Sequence, residues 1–114
     1  MKTVKTSELT GRALDWAVAR ADGRGVKINE LGYVFVCDNR SIGVYSPTTR
    51  WDVCGELIEK YKVKFEHSEH IWFASCKRGM LALGRTPQIA ICRAVVVAQL
   101  GDEVEIPDEL MEGV

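Results

Sequence analysis

The sequence predicts an α+β fold: a four-stranded, mainly antiparallel sheet with helices on both faces, an α-β-α sandwich with the element order (β)αββαββα. Two stretches, residues 7–21 and 49–61, repeat apolar residues with the period of an amphipathic helix. Two pairs of short runs rich in Val, Phe, Tyr and Ile read as strands joined by turns. A third helix, over residues 87–100, is apolar nearly all the way round and must therefore be buried.

The chain begins with a possible strand and a clear helix. Residues 2–5 suit a short edge strand, and residues 7–21 form a helix with a broad apolar face. Trp16 lies at the edge of that face. Asp15 lies opposite it, so we expect Asp15 to be a solvated surface acid. The glycine-containing segment 22–25 ends the helix.

A hairpin and a second helix follow. Strands at residues 31–37 and 42–45 are joined by a turn, and the helical period begins after residue 48. Thr49 and Asp52 have the spacing of a capping box, with Asp in place of the usual Glu, so Thr49 is the predicted N-cap. On this helix the exposed acid Glu56 is expected to pair with Lys60, one turn further on.

The last third of the chain contains the second pair of strands, at residues 63–66 and 70–76, and a loop over residues 77–85. Thr86 is the predicted N-cap of the apolar helix, Pro87 its first residue and Gly101 its stop. The tail over residues 103–107 alternates and suits an extended strand.

Arg93 interrupts the apolar pattern of the third helix. It shares a sector with Ile89, Val96 and Leu100, so we expect its guanidinium to be largely buried and structural. A buried charge needs a partner. The candidates are Asp52 or Glu56 first, or a set of backbone carbonyls.

Composition limits the function classes. The 114 residues fit a single domain, 1–114, and the net charge of −1 argues against a general nucleic-acid binder. The four cysteines are widely separated, so we expect reduced thiols and no metal or other cofactor. The N-terminus lacks the apolar run of a signal peptide, and the apolar helix is too short to span a bilayer. We therefore expect a cytoplasmic protein, with homo-oligomers possible.

Residues 66–70 contain both histidines, His67 and His70, beside two glutamates. Imidazoles and carboxylates can ligate zinc or act in general acid–base catalysis, which makes a small hydrolase or transferase one alternative function. The run has the character of a hairpin turn, so a solvated turn is the preferred interpretation. A third alternative is weak nucleic-acid binding through Arg12, Arg20 and Arg24.

The richest cluster of functional side chains lies in the turn over residues 45–51, which combines aromatics, hydroxyls and a cation. Turns between rigid elements often carry binding functions, although these residues could equally serve as scaffold. Arg85, at the neighbouring helix start, and Trp72 are possible additions. The predicted binding residues are Tyr45, Ser46, Thr48, Arg50, Trp51 and Arg85.

Four stretches resemble the NinX-type proteins of lambdoid phages and enterobacterial prophages. They are the opening over residues 6–19, the Y-S-P-T-T-R-W run over 45–51, and the closing stretches over 86–93 and 100–107. The A-I-C-R-A pattern in the third helix is also similar to small phage α-β-α sandwich domains.

The resemblance implies a small phage-encoded cytoplasmic protein and carries over no activity and no catalytic residue. Accessory phage proteins of this kind often act on host enzymes, defence systems or their signals. We therefore expect a binding protein, not an enzyme, that engages a host protein or an anionic small signalling molecule.

Overall fold

The computed structural model describes residues 1–76 and 80–111, and over these residues it confirms the α+β class. Three α-helices are present in this part of the chain: α1 Gly11–Ala21, α2 Trp51–Tyr61 and α3 Pro87–Leu100. Short 3-10 helices span Thr6–Glu8 and Asp108–Leu110. The strands are β1 Lys2–Lys5, β2 Val26–Ile28, β3 Val34–Cys37, β4 Ile42–Val44, β5 Lys64–Ser68, β6 Ile71–Ser75, β7 Ala82–Gly84 and β8 Glu103–Ile106.

The prediction of one four-stranded sheet is wrong. The described strands form three antiparallel sheets, with the orders β1-β8, β2-β3-β4 and β5-β6-β7. The two predicted hairpins lie in separate sheets, and each gains a third strand of its own: β2 pairs with the second edge of β3, and β7 pairs with the second edge of β6. The extended tail is confirmed, and it pairs with β1 at the other end of the chain.

Helix α3 lies at the centre of the fold. It packs against α1, α2 and the β5-β6-β7 sheet. Because these elements contact it from several directions, its sequence is apolar on nearly every side. A single sheet covered on both faces is therefore not needed to account for this pattern. Its fully enclosed residues include Ile91, Val95 and Val96.

The start of α3 matches the prediction and the start of α2 does not. Thr86 is the N-cap of α3, and its hydroxyl oxygen accepts a hydrogen bond from the Ile89 N–H at 3.2 Å. Helix α2 begins one residue later than expected, with Arg50 as N-cap and no capping side chain. The Thr49 hydroxyl donates to the Ser46 carbonyl instead (3.4 Å), which removes it from the capping role.

Arg93 is half-buried, not largely buried, and its partners are backbone carbonyls. Its Nε donates to the Leu9 carbonyl at 3.0 Å and its Nη1 to the Leu83 carbonyl at 2.7 Å. The preferred partners, Asp52 and Glu56, are exposed on α2 and line a different part of the surface. Arg93 therefore ties the segment before α1 to strand β7.

The predicted loop over residues 77–85 contains strand β7, and residues 77–79 lie outside the described residues. In the part of the chain that the structure describes, no helix combines the length and apolar character needed to cross a bilayer.

The cysteines differ in access to solvent, which predicts a simple thiol count. Cys37 is exposed, whereas Cys54, Cys76 and Cys92 are buried, and all four are free. Burial raises the pKa of the Cys76 thiol, which slows its reaction further. In the native protein, a thiol reagent should therefore modify one cysteine quickly, and denaturation without reductant should expose all four. A count below four after denaturation would indicate a disulfide.

Candidate functional site

A groove runs between strand β4 and the first turn of α2, with a cavity of about 340 Å³. We call it the β4–α2 groove. It is reached directly from the 45–51 turn, which connects the two elements. Its walls include Ile42, Gly43, Val44 and Tyr45 on the strand side and Arg50, Asp52, Val53 and Glu56 on the helix side.

The residues predicted for the site divide between core and surface. Tyr45 and Thr48 are buried, Ser46 is half-buried, and Arg50 and Trp51 are exposed. Only Tyr45 and Arg50 of the predicted turn residues line the groove. Tyr45 and Thr48 therefore fix the turn to the core, and Trp51, half-exposed at 50%, lies at the surface beside Arg50.

Asp15 holds the turn in place. It is buried with 5% exposure, and its carboxylate accepts a hydrogen bond from the Thr48 N–H at 3.0 Å. Burial raises the pKa of Asp15 to about 6, even though the hydrogen bonds from Thr48 act in the opposite direction. The prediction of a solvated acid is wrong, because the 45–51 turn covers the face of α1 that a helical wheel leaves to solvent.

Arg24 lines the groove and contacts both the turn before β4 and Tyr45. Its guanidinium donates to both carboxylate oxygens of Asp38, with Nε–Oδ2 at 2.9 Å and Nη2–Oδ1 at 3.2 Å, and also bonds the Ser41 hydroxyl. This pairing holds the pKa of Asp38 well below its usual range. The guanidinium also lies over the Tyr45 ring, 5.6 Å from its centroid. The Arg24 side chain therefore connects the turn before β4 to the Tyr45 ring, which lines the groove.

Asp22 forms ion pairs with two neighbouring cations, Arg40 and Lys60. Lys60 Nζ and Tyr61 Oη each donate to its Oδ1 at 2.6 Å, and Arg40 Nη1 lies 3.2 Å from its Oδ2. Burial raises the pKa of Asp22, but these partners outweigh burial and the pKa is lowered overall. The predicted Glu56–Lys60 pair is absent from the described ion pairs, because Lys60 reaches Asp22 instead.

The charged residues that line the groove differ in whether an ion pair neutralises them. Both guanidiniums that line the groove have an acid of their own: Arg24 has Asp38, and Arg50 has Asp52 at 2.6 Å. Within residues 1–76 and 80–111, Glu56 forms no ion pair. The groove therefore offers one unmatched carboxylate and no unmatched guanidinium.

Strand β4 presents an open edge to the groove. It is the last strand of its sheet, and Ile42 and Val44 are 78% and 59% exposed. The Tyr45 N–H donates to the Val34 carbonyl at 3.0 Å. Antiparallel partners alternate between hydrogen-bonded and non-hydrogen-bonded pairs, so the N–H and C=O groups of Ile42 and Val44 point away from β3. These four backbone groups face the open side of the strand.

The family model described as "Bacteriophage P22, NinX" matches residues 5–99, which include α1, the 45–51 turn, α2 and nearly all of α3. The chain belongs to the NinX family. No match was found among curated proteins.

Several predicted residues lie outside the groove of this NinX-family protein. Arg85 is exposed at the junction of β7 and α3, and Trp72 lies in β6, in a different sheet from β4. His67 lies in β5 with its ring 4.8 Å from that of Trp72, while His70 lies in the following turn. No group of three His, Cys, Asp or Glu side chains in the described ranges could hold a metal ion.

The three arginines proposed for nucleic-acid binding each contact another side chain of this NinX-family protein. Arg12 lies 4.3 Å from the centroid of the Tyr33 ring, and Arg24 is buried against Asp38. Arg20 lies 5.6 Å from the centroid of the Trp16 ring. Trp16 itself is buried, with 7% exposure, not set at the edge of the helix face as expected.

The open edge of β4 and the unmatched Glu56 were not found from the sequence. Strand β4 was expected, but its position at the sheet edge depends on β2, which no sequence signal indicated. Glu56 was expected to be paired, and only the competing Asp22 shows that it is not.

Proposed function

We propose that this NinX-family chain is a non-enzymatic phage protein that binds a host protein in the bacterial cytoplasm, by accepting an extended segment of that protein into the β4–α2 groove. The observation that carries the proposal is the open edge of β4 inside a groove walled by a helix. An extended segment placed there would continue the β2-β3-β4 sheet.

Strand addition suits the chemistry of this edge. The outward N–H and C=O groups of Ile42 and Val44 supply up to four main-chain hydrogen bonds, and such bonds give affinity with little dependence on sequence. Specificity then comes from alternate side chains of the partner, which meet the apolar strand on one side and α2 on the other. Exposed apolar edge strands otherwise promote aggregation, so proteins usually shield them unless they are used.

Charge distinguishes a protein segment from an anionic small molecule, the other ligand expected from the sequence. Arg24, Arg40 and Arg50 are each paired with an acid, so an anion would have to break an existing pair. Glu56 is the unmatched charge, and it favours a Lys or Arg in the partner. The anionic ligand therefore stands second.

An enzyme based on His67 or His70 has less support. Catalysis by histidine needs an orienting partner and a nucleophile within hydrogen-bond reach. Among the described contacts, His67 has only its ring contact with Trp72, and His70 has none. Nucleic-acid binding is disfavoured by the engaged arginines and by the net charge of −1.

Selection from a random nonapeptide display library tests the proposal. We expect enriched peptides with alternating apolar residues and a Lys or Arg, and we expect them to shift the amide resonances of Ile42 and Val44. Replacing both residues with Lys should weaken binding at least about tenfold, because edge charges block strand pairing and one lost hydrogen bond to the backbone already approaches that factor. The matched control is Leu100→Lys, at an exposed leucine outside the groove.

Glu56→Lys should invert the charge preference, so that a second selection enriches Asp or Glu in place of Lys or Arg. The substitution is on an exposed position of α2 and should leave folding unchanged. The proposal fails if enriched peptides shift other amides only, or if the Ile42→Lys/Val44→Lys variant binds them as the parent does. Enrichment of acidic peptides by the parent would favour the anionic alternative.

A further inference from the structure

Arg93 carries a charge that no carboxylate neutralises within residues 1–76 and 80–111. The carbonyls of Leu9 and Leu83 accept from its Nε and Nη1, but carbonyls satisfy hydrogen bonds without cancelling charge. Burial lowers the pKa of Arg93, and the charge of Arg85 lowers it further. A half-buried guanidinium next to a second cation is unfavourable unless an anion joins it.

Arg93 lies in the wall of a cavity of about 720 Å³, separate from the β4–α2 groove. We call it the Arg93 cavity. Its apolar wall includes Leu81, Leu83 and Val97, and the first two of these are 62% and 43% exposed. Leucine side chains this exposed beside a cation form an amphipathic pocket, of the kind that binds a ligand with one charged end.

The charges of the lining decide the class of anion. Among the lining residues that the structure describes, Lys5 and Arg93 supply two positive charges and Asp102 and Glu103 supply two negative ones, which sum to zero. A dianionic phosphate would meet two carboxylates in the same cavity. A single carboxylate can accept from Arg93, where Nη2 has no described hydrogen-bond acceptor, and it brings only one negative charge into the cavity.

We propose that the Arg93 cavity binds a small monocarboxylate with an apolar body, its carboxylate on the guanidinium of Arg93 and its chain against Leu81, Leu83 and Val97. This site shares no lining residue with the β4–α2 groove, so it stands or falls independently of the proposed host-protein binding.

Titration of the full chain with octanoate, octanol and octyl phosphate, followed by amide NMR shifts, tests the site. Octanoate should shift the amides of Leu81, Leu83 and Val97 and saturate. Octanol should bind at least about tenfold more weakly, because a hydrogen bond between two charged groups contributes roughly this factor. Octyl phosphate should also bind more weakly than octanoate, because Asp102 and Glu103 repel its additional negative charge. Equal binding of octanol would overturn the proposal, as would tighter binding of octyl phosphate or no shift at these amides.

Two variants separate binding from stability. Arg93→Gln should weaken octanoate binding at least about tenfold, as removal of a charged partner does. The control Arg20→Gln, at an exposed arginine outside both the cavity and the groove, should bind as the parent does. Because Arg93 also holds two carbonyls, Leu81→Glu provides a second variant: it adds a negative charge at an exposed position and should abolish binding without lowering the melting temperature. Unchanged octanoate affinity in a folded Leu81→Glu protein would overturn the assignment.

Discussion

Replacing Gly84 with Ala should lower the free energy of unfolding by about 3 kcal/mol, at the upper end of the range for overpacked positions. A Cβ atom at Gly84 would lie 2.5 Å from the Ala90 backbone nitrogen and 3.0 Å from the Ala90 Cα. These atoms belong to the first turns of α3 and cannot move aside as a flexible side chain would. The β7–α3 contact depends on the missing side chain, and urea unfolding should show a lower midpoint.

A second glycine provides the control for this measurement. Gly55 lies inside α2, and a Cβ there would have no heavy atom within 4 Å. Gly55→Ala should therefore raise the free energy of unfolding by about 0.5–1 kcal/mol through helix propensity. If Gly84→Ala is as stable as the parent, strand β7 does not approach α3 as closely as described.

Local signals in the sequence were sufficient to predict that three helices are present, to place the bounds of α3, and to predict the extended segments at the two ends of the chain. They misplaced the starts of α1 and α2, which begin at Gly11 and Trp51. The Thr86-Pro87 start of α3 and the apolar character of that helix depend on neighbouring residues alone, and both are confirmed. The strand at residues 2–5 and the alternating tail are confirmed for the same reason, and their pairing joins the chain ends.

Contacts between residues far apart in the chain account for the strand pairing and the ion pair that the sequence could not predict. Strand β2 has only three residues, yet it pairs with one edge of β3, in a sheet separate from β5-β6-β7. Lys60, which the sequence pairs with Glu56 on the same helix, donates to Asp22, a distant residue that also accepts from Tyr61 and forms an ion pair with Arg40. Neither outcome is visible in periodicity or spacing.

The turn that the sequence singles out contributes only part of the candidate groove. The 45–51 turn was singled out, and Tyr45 and Arg50 from it line the groove. The edge groups of Ile42 and Val44 were missed, because they become available only once strand order is known. Whether the groove binds a host protein is a prediction that the displayed peptides test.

Asp15→Asn should stabilise the protein at neutral pH. The folded state raises the pKa of Asp15 from 3.8 to about 6, so between these values the native protein binds more protons than the unfolded chain. Stability from this group is full below pH 3.8 and is lost as the pH rises towards about 6. The loss is about 3 kcal/mol, at about 1.4 kcal/mol per pKa unit.

An asparagine at position 15 avoids that loss, because its amide oxygen can still accept from the Thr48 N–H and it does not ionise. Its extra NH₂ group needs an acceptor, which offsets part of the gain, so we expect a net increase of about 1–2 kcal/mol at pH 8. The measurement is the free energy of unfolding of parent and variant at pH 4 and pH 8.

The pH dependence separates this effect from general stabilisation. The gain from Asp15→Asn should be complete by pH 8, whereas at pH 4 the variant should be less stable than the parent, because the cost of its NH₂ group does not depend on pH. The low-pH losses of Asp22 and Asp38 cancel because both proteins contain them. Asp102→Asn, at an exposed aspartate, should change stability by less than about 0.5 kcal/mol at either pH. An equal advantage at both pH values would mean that Asp15 does not titrate in this window.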